Sequence, residues 1–411
     1  MTAPASPLID PDVALQRLLA AASPISETET LPLSSALGRV LAQEVRSTID
    51  VPPADNTAMD GYAVRSAEVS AAGARLPVSQ RIPAGAVPQP LQPGTAARIF
   101  TGGLIPPGAD AVVMQEQCAA EGDAVRINAP PKAGDWVRRR GLDVAAGSVV
   151  LAVGQRLRPQ DLGLAASVGV ASLQVRRKPR VAILFTGDEL AMPGEPLRPG
   201  AIYNSNRFVI RALLESAGCE VTDFGIVPDQ FDATRAVLRQ AALGHDLVVS
   251  TGGMSVGEED HVKPAVQAEG ALDLWQIAMK PGKPLAFGHL RHSEEQGKAA
   301  FIGLPGNPVS SFVTFLLFVR PFLLALQGAG QIAVQTLPVR AAFDWPKPDR
   351  RREYLRVRLN AQGEAELFAS QNSAVLTSTV WADGLVDNPP QQPIARGDML
   401  RYLPFSSLLQ G

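Results

Sequence analysis

Three glycine-marked turns each follow a short apolar run that reads as a buried strand. The first is Thr186-Gly187-Asp188-Glu189-Leu190, after Val181–Phe185. The second is Ser250-Thr251-Gly252-Gly253-Met254-Ser255-Val256-Gly257, which runs on into Glu258, Glu259 and Asp260. The third is Leu304-Pro305-Gly306-Asn307-Pro308, which opens a long apolar stretch. Glycine lets a backbone approach an anion closely, and free N–H groups, hydroxyls and a following helix N-terminus then bind it. One such turn is an ordinary strand end. Three of them, all rich in polar groups, predict an anion-binding edge. Asp188, Glu189, Asp229 and the run Glu258 to Asp260 fall just past predicted strands. Singly each would cap a helix. Gathered at one edge, such hard oxygen ligands suit Mg²⁺ bridging phosphates. Lys280-Pro281-Gly282-Lys283-Pro284 adds two ammonium groups between prolines, suited to an anionic substrate. Together these residues predict a phosphorylated ligand and a divalent cation.

Other chemistries fit less well. No G-x-x-x-x-G-K-[ST] occurs, and no G-x-G-x-x-G follows a strand, so neither a P-loop nor a dinucleotide fold is expected. Gly253-Met254-Ser255-Val256-Gly257 matches the G-x-S-x-G elbow of serine hydrolases. Its triad would need Asp273 and His289, which follow too closely to come from well-separated strands. Three carboxylates would also crowd the helix after the elbow. The cysteines, Cys118 and Cys219, form no disulfide framework, and the four histidines have no thiolate partners for zinc.

The elements that must position these groups are legible. Asp10 caps a first helix, Pro11 fits its first position, and Ala14, Leu15, Leu18, Leu19 and Ala22 share one face. A second helix is expected over Ser34–Gln43. From residue 47 to 145, short apolar runs split by Pro and Gly predict a β-rich unit. Pro159–Val168 reads as a helix and Val170–Val175 as a strand. From Arg180, strands and helices alternate: Val181–Phe185, Asn206–Ala217, Val221–Val227, Ala233–Leu243, Asp246–Ser250, Leu272–Met279, Ala299–Leu304 and Val309–Leu326. That alternation predicts a parallel sheet covered on both faces, with ligands at the carboxyl ends of its strands. After Gly330 the texture is again β-rich.

The 411 residues carry 38 Lys and Arg against 40 Asp and Glu, a balance that argues against a nucleic-acid surface or a polybasic membrane patch. The apolar run Phe312–Leu326 is interrupted by Arg320 and Pro321, so a buried helix is expected in place of a membrane span. The first residues show no basic and apolar leader pattern, and a reducing, cytoplasmic setting is the expectation.

The β-rich unit adds Asn56-Thr57-Ala58-Met59-Asp60-Gly61-Tyr62-Ala63, Phe100-Thr101-Gly102-Gly103 and Arg138-Arg139-Arg140-Gly141-Leu142-Asp143. On composition these are a hairpin turn, a loop and a solvated face. Arg350-Arg351-Arg352 could clamp an anion or simply solvate the surface. In this order, with the turns and the lysine motif above, the segments resemble the MoeA family of molybdopterin molybdenumtransferases, and are similar to the E domain of gephyrin. The resemblance runs from about residue 10 to the C-terminus.

That resemblance implies a multidomain α/β and β architecture, elongated and homodimeric. A linker with helical character would comprise 25–46 and 146–179, and a β-rich inserted domain 47–145. An α/β molybdopterin-binding domain would comprise 7–24 and 180–327, and a C-terminal β-barrel-like domain 328–411. It also implies a reaction. Adenylylated molybdopterin and molybdate give molybdenum cofactor and AMP, with Mg²⁺-dependent hydrolysis of the adenylyl bond. The implied partners are an adenylyltransferase that supplies the substrate, and molybdoenzymes or chaperones that take the product.

Carried over by position, Thr186, Gly187, Ser250, Thr251, Gly252, Gly253, Ser255 and Gly257 would hold the pterin ligand, with Pro305, Gly306 and Asn307 nearby. Asp188, Glu189, Asp229 and Asp260 would handle metal, pterin or the adenylyl group, and Lys280 and Lys283 the negative charge that builds as the anhydride breaks. Asp60, Thr101 and Asp143 would face the cleft from the partner subunit, and Gly102 and Gly103 would bind the pterin ligand beside Thr101. Arg351 or Arg352, and Ser373, would add an oxyanion site. Gln276 stands where some relatives are expected to have lysine, and an amide can bond molybdate without neutralising it. An adenylyltransferase is the near alternative, although it would resemble the α/β part alone. A non-catalytic molybdopterin-binding or scaffold protein is the other.

Overall fold

The computed structural model describes residues 8–253, 261–291 and 298–409. Its central sheet has six strands, and their spatial order explains the site. From one edge to the other they are Glu220–Val227, Arg180–Thr186, Leu247–Thr251, Lys298–Leu304, Pro284–Arg291 and Gly270–Gln276. The first four are mutually parallel, Pro284–Arg291 is antiparallel to both of its neighbours, and Gly270–Gln276 therefore runs in the same direction as the first four. The sheet is therefore mixed at one edge, where the alternating pattern predicts parallel strands throughout. The strand Pro284–Arg291 is the one that pattern misses. It begins immediately after the lysine motif and runs back along its neighbour, so the motif lands at the carboxyl ends of the parallel strands.

Helices cover both faces. Ser205–Ser216 is capped by the Asn204 side chain, which accepts from the Arg207 N–H. Ile210 and Leu214 of that helix are fully buried. The apolar stretch after the third turn forms helix Pro308–Thr314, a wider π turn over Phe315–Val319, and helix Arg320–Leu326. Pro321 has no N–H to give the carbonyl one turn back, and the widened turn precedes it. This stretch is long and apolar enough to cross a membrane, but 83% of it is buried inside the protein, so it is a core helix. At the N-terminus, Pro11–Ala21 starts on Asp10, whose carboxylate accepts from the N–H groups of Asp12 and Val13. Its Ala14 and Leu18 pack in the same core.

The expected helix over Ser34–Gln43 does not form. Only a short 3₁₀ turn, Leu33–Ser35, is helical there. Gly38 takes a positive φ of 75°, and Val40 and Leu41 bridge to Arg156 and Val175. The linking module thus pairs Thr28–Pro32 with Ser172–Arg176 and contains one α-helix, Pro159–Ser167. Between its two halves lies a six-stranded sheet built from 61–127.

A C-terminal sheet joins the α/β domain directly. Met279–Lys280 pairs in parallel with Arg352–Glu353. Tyr354, Leu385, Leu403 and Phe405 belong to the same hydrophobic cluster as Phe185, Ile302 and Phe318. Arg352 donates to both carboxylate oxygens of Asp387, at 2.5 and 2.6 Å, and to Asp12 at 2.9 Å. Arg352 is thereby committed to structure.

Candidate active site

The three predicted turns meet in one cleft of about 700 Å³ at the carboxyl ends of the strands. Thr186, Gly187, Gly252 and Gly253 line it, as do Pro305, Gly306 and Asn307. Their closeness is built into the backbone. Gly252 has a φ of +88°, and any Cβ there would strike the carbonyl oxygen of Thr186. A Cβ on Gly306 would in turn touch the Cα of Gly252. The third turn is held from behind. Asn206 donates to the Gly306 carbonyl at 2.7 Å, and the Ser311 hydroxyl donates to the Pro305 carbonyl. Gly252→Ala is expected to cost more than about 2 kcal/mol of stability and to abolish ligand binding. Thermal unfolding and equilibrium binding of the full chain check both effects.

The cleft has two electrical ends. Glu189 and Asp229 line it at the edge formed by Arg180–Thr186 and Glu220–Val227. Gly187, with a φ of +147°, leaves room for the Glu189 carboxylate to lie over it. Asp229 Oδ1 is buried with no hydrogen-bond partner among the described residues. Lys280 and Lys283 line the other end, beside the strand Pro284–Arg291. At about 4.8 Å per strand, the strands leading into Glu189 and Asp229 lie three and four intervals, or roughly 14 and 19 Å, from Pro284–Arg291. Loops of the C-terminal domain add Arg351, just before the strand Arg352–Leu359, and Gln371, Asn372 and Ser373 to the lining. Asp349 accepts two side-chain hydrogen bonds from Arg351, at 3.1 and 3.0 Å, and these hold its carboxyl well below the usual range. Lys280 Nζ lies 3.6 Å from Asp349 and 3.7 Å from the buried Glu353, whereas Lys283 makes no ion pair among the described residues.

Not every expected residue reaches the cleft. Asp188 is exposed on the turn beside it, and Ser250 and Thr251 are buried within their strand, so none of the three lines it. Ser255, Gly257 and Asp260 lie outside the described residues. Among the described residues, no group of three His, Cys, Asp or Glu forms a metal cluster. Asp60, Thr101, Gly102, Gly103 and Asp143 lie in the β-rich unit and are not part of this chain's cleft wall. There Asp60 Oδ1 accepts from the Thr101 hydroxyl at 2.6 Å and the Thr101 N–H at 2.7 Å, and these bonds hold its carboxyl below the usual range. The loop that carries Asp143 is pinned by Arg139 on Asp55 and Arg140 on Asp50. Gln276 is not a lining residue either.

Sequence reasoning missed Ser310, Gln371 and Asn372. Ser310 sits in the first turn of the helix after Asn307-Pro308, and that position was a usable signal. Gln371 and Asn372 carried none beyond their nearness to Ser373, whose carbonyl accepts from the Val309 N–H at 3.1 Å.

The hydrolase triad has no support. His289 pairs with Ala300, near the start of Lys298–Leu304, and so sits at the opposite end of the sheet from the cleft. Neither cysteine lines the cleft, and burial pushes the Cys118 thiol up to about 11 and the Cys219 thiol to about 12.

Three family models cover this architecture in order. Residues 9–169 match the MoeA N-terminal region (domain I and II), 182–325 a probable molybdopterin binding domain, and 338–405 the MoeA C-terminal region (domain IV). A molybdopterin molybdenumtransferase of Haemophilus influenzae is 38% identical over 394 residues, covering 93% of this chain and 95% of that protein. The chain belongs to the molybdopterin molybdenumtransferase (MoeA) family. A second relative, molybdopterin molybdenumtransferase 2 of Mycobacterium tuberculosis, is 36% identical and covers 91% of this chain and 94% of that protein. A solved MoeA structure from Pyrococcus horikoshii is 30% identical, with a TM-score of 0.83, and covers 97% of this chain and all of that one. MoeA-family matches on both sides of the α/β domain distinguish the chain from a protein built of that domain alone.

Proposed function

We propose that this MoeA-family chain transfers molybdenum from molybdate to adenylylated molybdopterin, with release of AMP as the adenylyl bond is hydrolysed. The observation that supports this reading best is the two-ended cleft. A substrate with a pterin, a phosphoanhydride and an adenylyl group is long, and its chemistry needs both a cation site and an oxyanion site.

The backbone around Gly252, Gly253 and Gly306 binds phosphate oxygens closely and orients the pterin end. Glu189 and Asp229 fit a divalent cation, because they come from neighbouring strands and Asp229 offers a buried, unpartnered oxygen. When bound there, Mg²⁺ would neutralise charge on the anhydride. Lys280, Lys283 and Arg351 hold the molybdate oxyanion, with Ser373, Gln371 and Asn372 supplying polar contacts. Lys283 is the cation best placed to pair with the molybdate oxyanion, since it has no carboxylate partner among the described residues.

The chain acts as a homodimer in this proposal. Asp60, Thr101 and Asp143 complete the partner's cleft, and this accounts for an ordered Asp60–Thr101 pair remote from its own. An adenylyltransferase supplies the substrate, and molybdoenzymes or their chaperones take the product. The reaction belongs in a reducing cytoplasm, where Cys118 and Cys219 remain free thiols.

The test is AMP release from adenylylated molybdopterin with Mg²⁺, with and without molybdate. Molybdate-stimulated release, together with activation of a cofactor-free molybdoenzyme, is expected. Tight binding without release would favour a binding or scaffold role instead.

A further inference from the structure

Behind the basic wall of the cleft lies a charge that the site described above does not use. Arg356 is 1% exposed, and it is among the largest fully buried side chains. No ion pair holds it among the described residues, and burial alone lowers its guanidinium to about 10. Among the described residues its side chain donates only to neutral oxygens: the Ser378 hydroxyl, the Tyr354 carbonyl and the Asn372 carbonyl, each at 3.3 Å. The same residue grips the wall through its backbone. Its N–H donates to Gln371 Oε1 at 2.9 Å, and its carbonyl accepts from Gln371 Nε2 at 3.2 Å. Gln371 and Asn372 both line the cleft, and Ser373 follows them.

A buried guanidinium without a carboxylate is costly, and burial of a charge is tolerated where something else compensates it. Here the guanidinium donates to the carbonyl of Asn372, a residue that itself lines the cleft. We propose that Arg356 is a positioning residue for the oxyanion subsite: it fixes the Gln371–Ser373 wall, and its otherwise unpaired charge is completed by the anion bound on the other side. This rests on the reading of the basic end as the molybdate site. A charge set behind a wall attracts the anion without competing for its hydrogen bonds. It is also shielded from bulk solvent, so salt screens it less than it screens Lys283.

Molybdate binding to the full-length chain, measured by equilibrium dialysis, tests the proposal. Arg356→Gln and Arg356→Met remove the charge, and Gln keeps a hydrogen-bond donor. Both are expected to weaken molybdate binding by at least about tenfold. Arg356→Lys keeps the charge and is expected to recover most of that loss, which a purely structural role would not predict. Thermal midpoints without anion are measured alongside, and if one neutral variant fails to fold the other decides. Folded neutral variants that bind molybdate as the wild type does would overturn the role of Arg356, and so would a lysine variant as weak as the neutral ones. A wild-type chain that takes up no molybdate would instead overturn the reading of the basic end.

Discussion

Glu189→Gln and Asp229→Asn are each expected to lower AMP release from adenylylated molybdopterin by at least about a hundredfold. Both changes keep the shape of the side chain and remove its charge. The Glu189 carboxylate lies over Gly187, and Asp229 presents a buried oxygen that has no partner among the described residues. Neither arrangement contributes an ion pair to the fold among the described residues, so the loss should fall on activity with little change in thermal midpoint. The dependence on Mg²⁺ gives a second readout. If these groups bind the cation, each variant should need a higher Mg²⁺ concentration for half-maximal rate. Normal turnover and normal Mg²⁺ dependence in both variants would remove the cation site from this end of the cleft.

Mixing two inactive chains is expected to restore activity. Asp60→Asn alters the β-rich unit, and Asn can still accept from Thr101 through its carbonyl oxygen. Glu189→Gln alters the α/β domain. If each active site combines the α/β domain of one subunit with the β-rich unit of the other, a mixed dimer contains one doubly altered site and one intact site. Random exchange makes half of the dimers mixed, so about a quarter of all sites should work. The measurement is AMP release before and after co-refolding or co-expression of the two variants. Each variant alone should stay near background. No recovery in a mixture shown to contain mixed dimers would confine the site to one chain, and Asp60 would lose its role.

Much of this cleft was legible because glycine, proline and hydroxyl residues mark strand ends in sequence as well as in space. Thr186-Gly187, Gly252-Gly253 and Pro305-Gly306-Asn307 are turns first and binding groups second, and local chemistry sets both. Ser250 and Thr251 show the limit of that signal. A hydroxyl at a strand end reads as a ligand, yet both residues are buried by their neighbours in the sheet. The helix expected over Ser34–Gln43 failed for a related reason: Gly38 and two long-range bridges outweigh a weak local preference. The antiparallel strand Pro284–Arg291 was missed, because its prolyl and glycyl surroundings break the apolar run and, among the described residues, no helix separates it from its neighbours in sequence. Arg356 was the least visible of all. In sequence it is one of several arginines on an alternating strand, and only the packing of Ser378 and Asn372 around it shows that it is buried.

The hydrophobic cluster that runs without a break from Phe185 and Ile302 to Tyr354 and Phe405 makes the two walls of the cleft one solid piece. Such a cleft has no jaw to shut on a ligand by bending between those walls. The spacing of those two walls is set before the substrate arrives, so discrimination between oxyanions draws on fit and charge already in place there. Water must then be excluded by a cover brought from outside the two walls. In the proposed dimer that cover is the neighbouring subunit's β-rich unit, so the aperture through which product leaves is a property of the assembly and not of either chain.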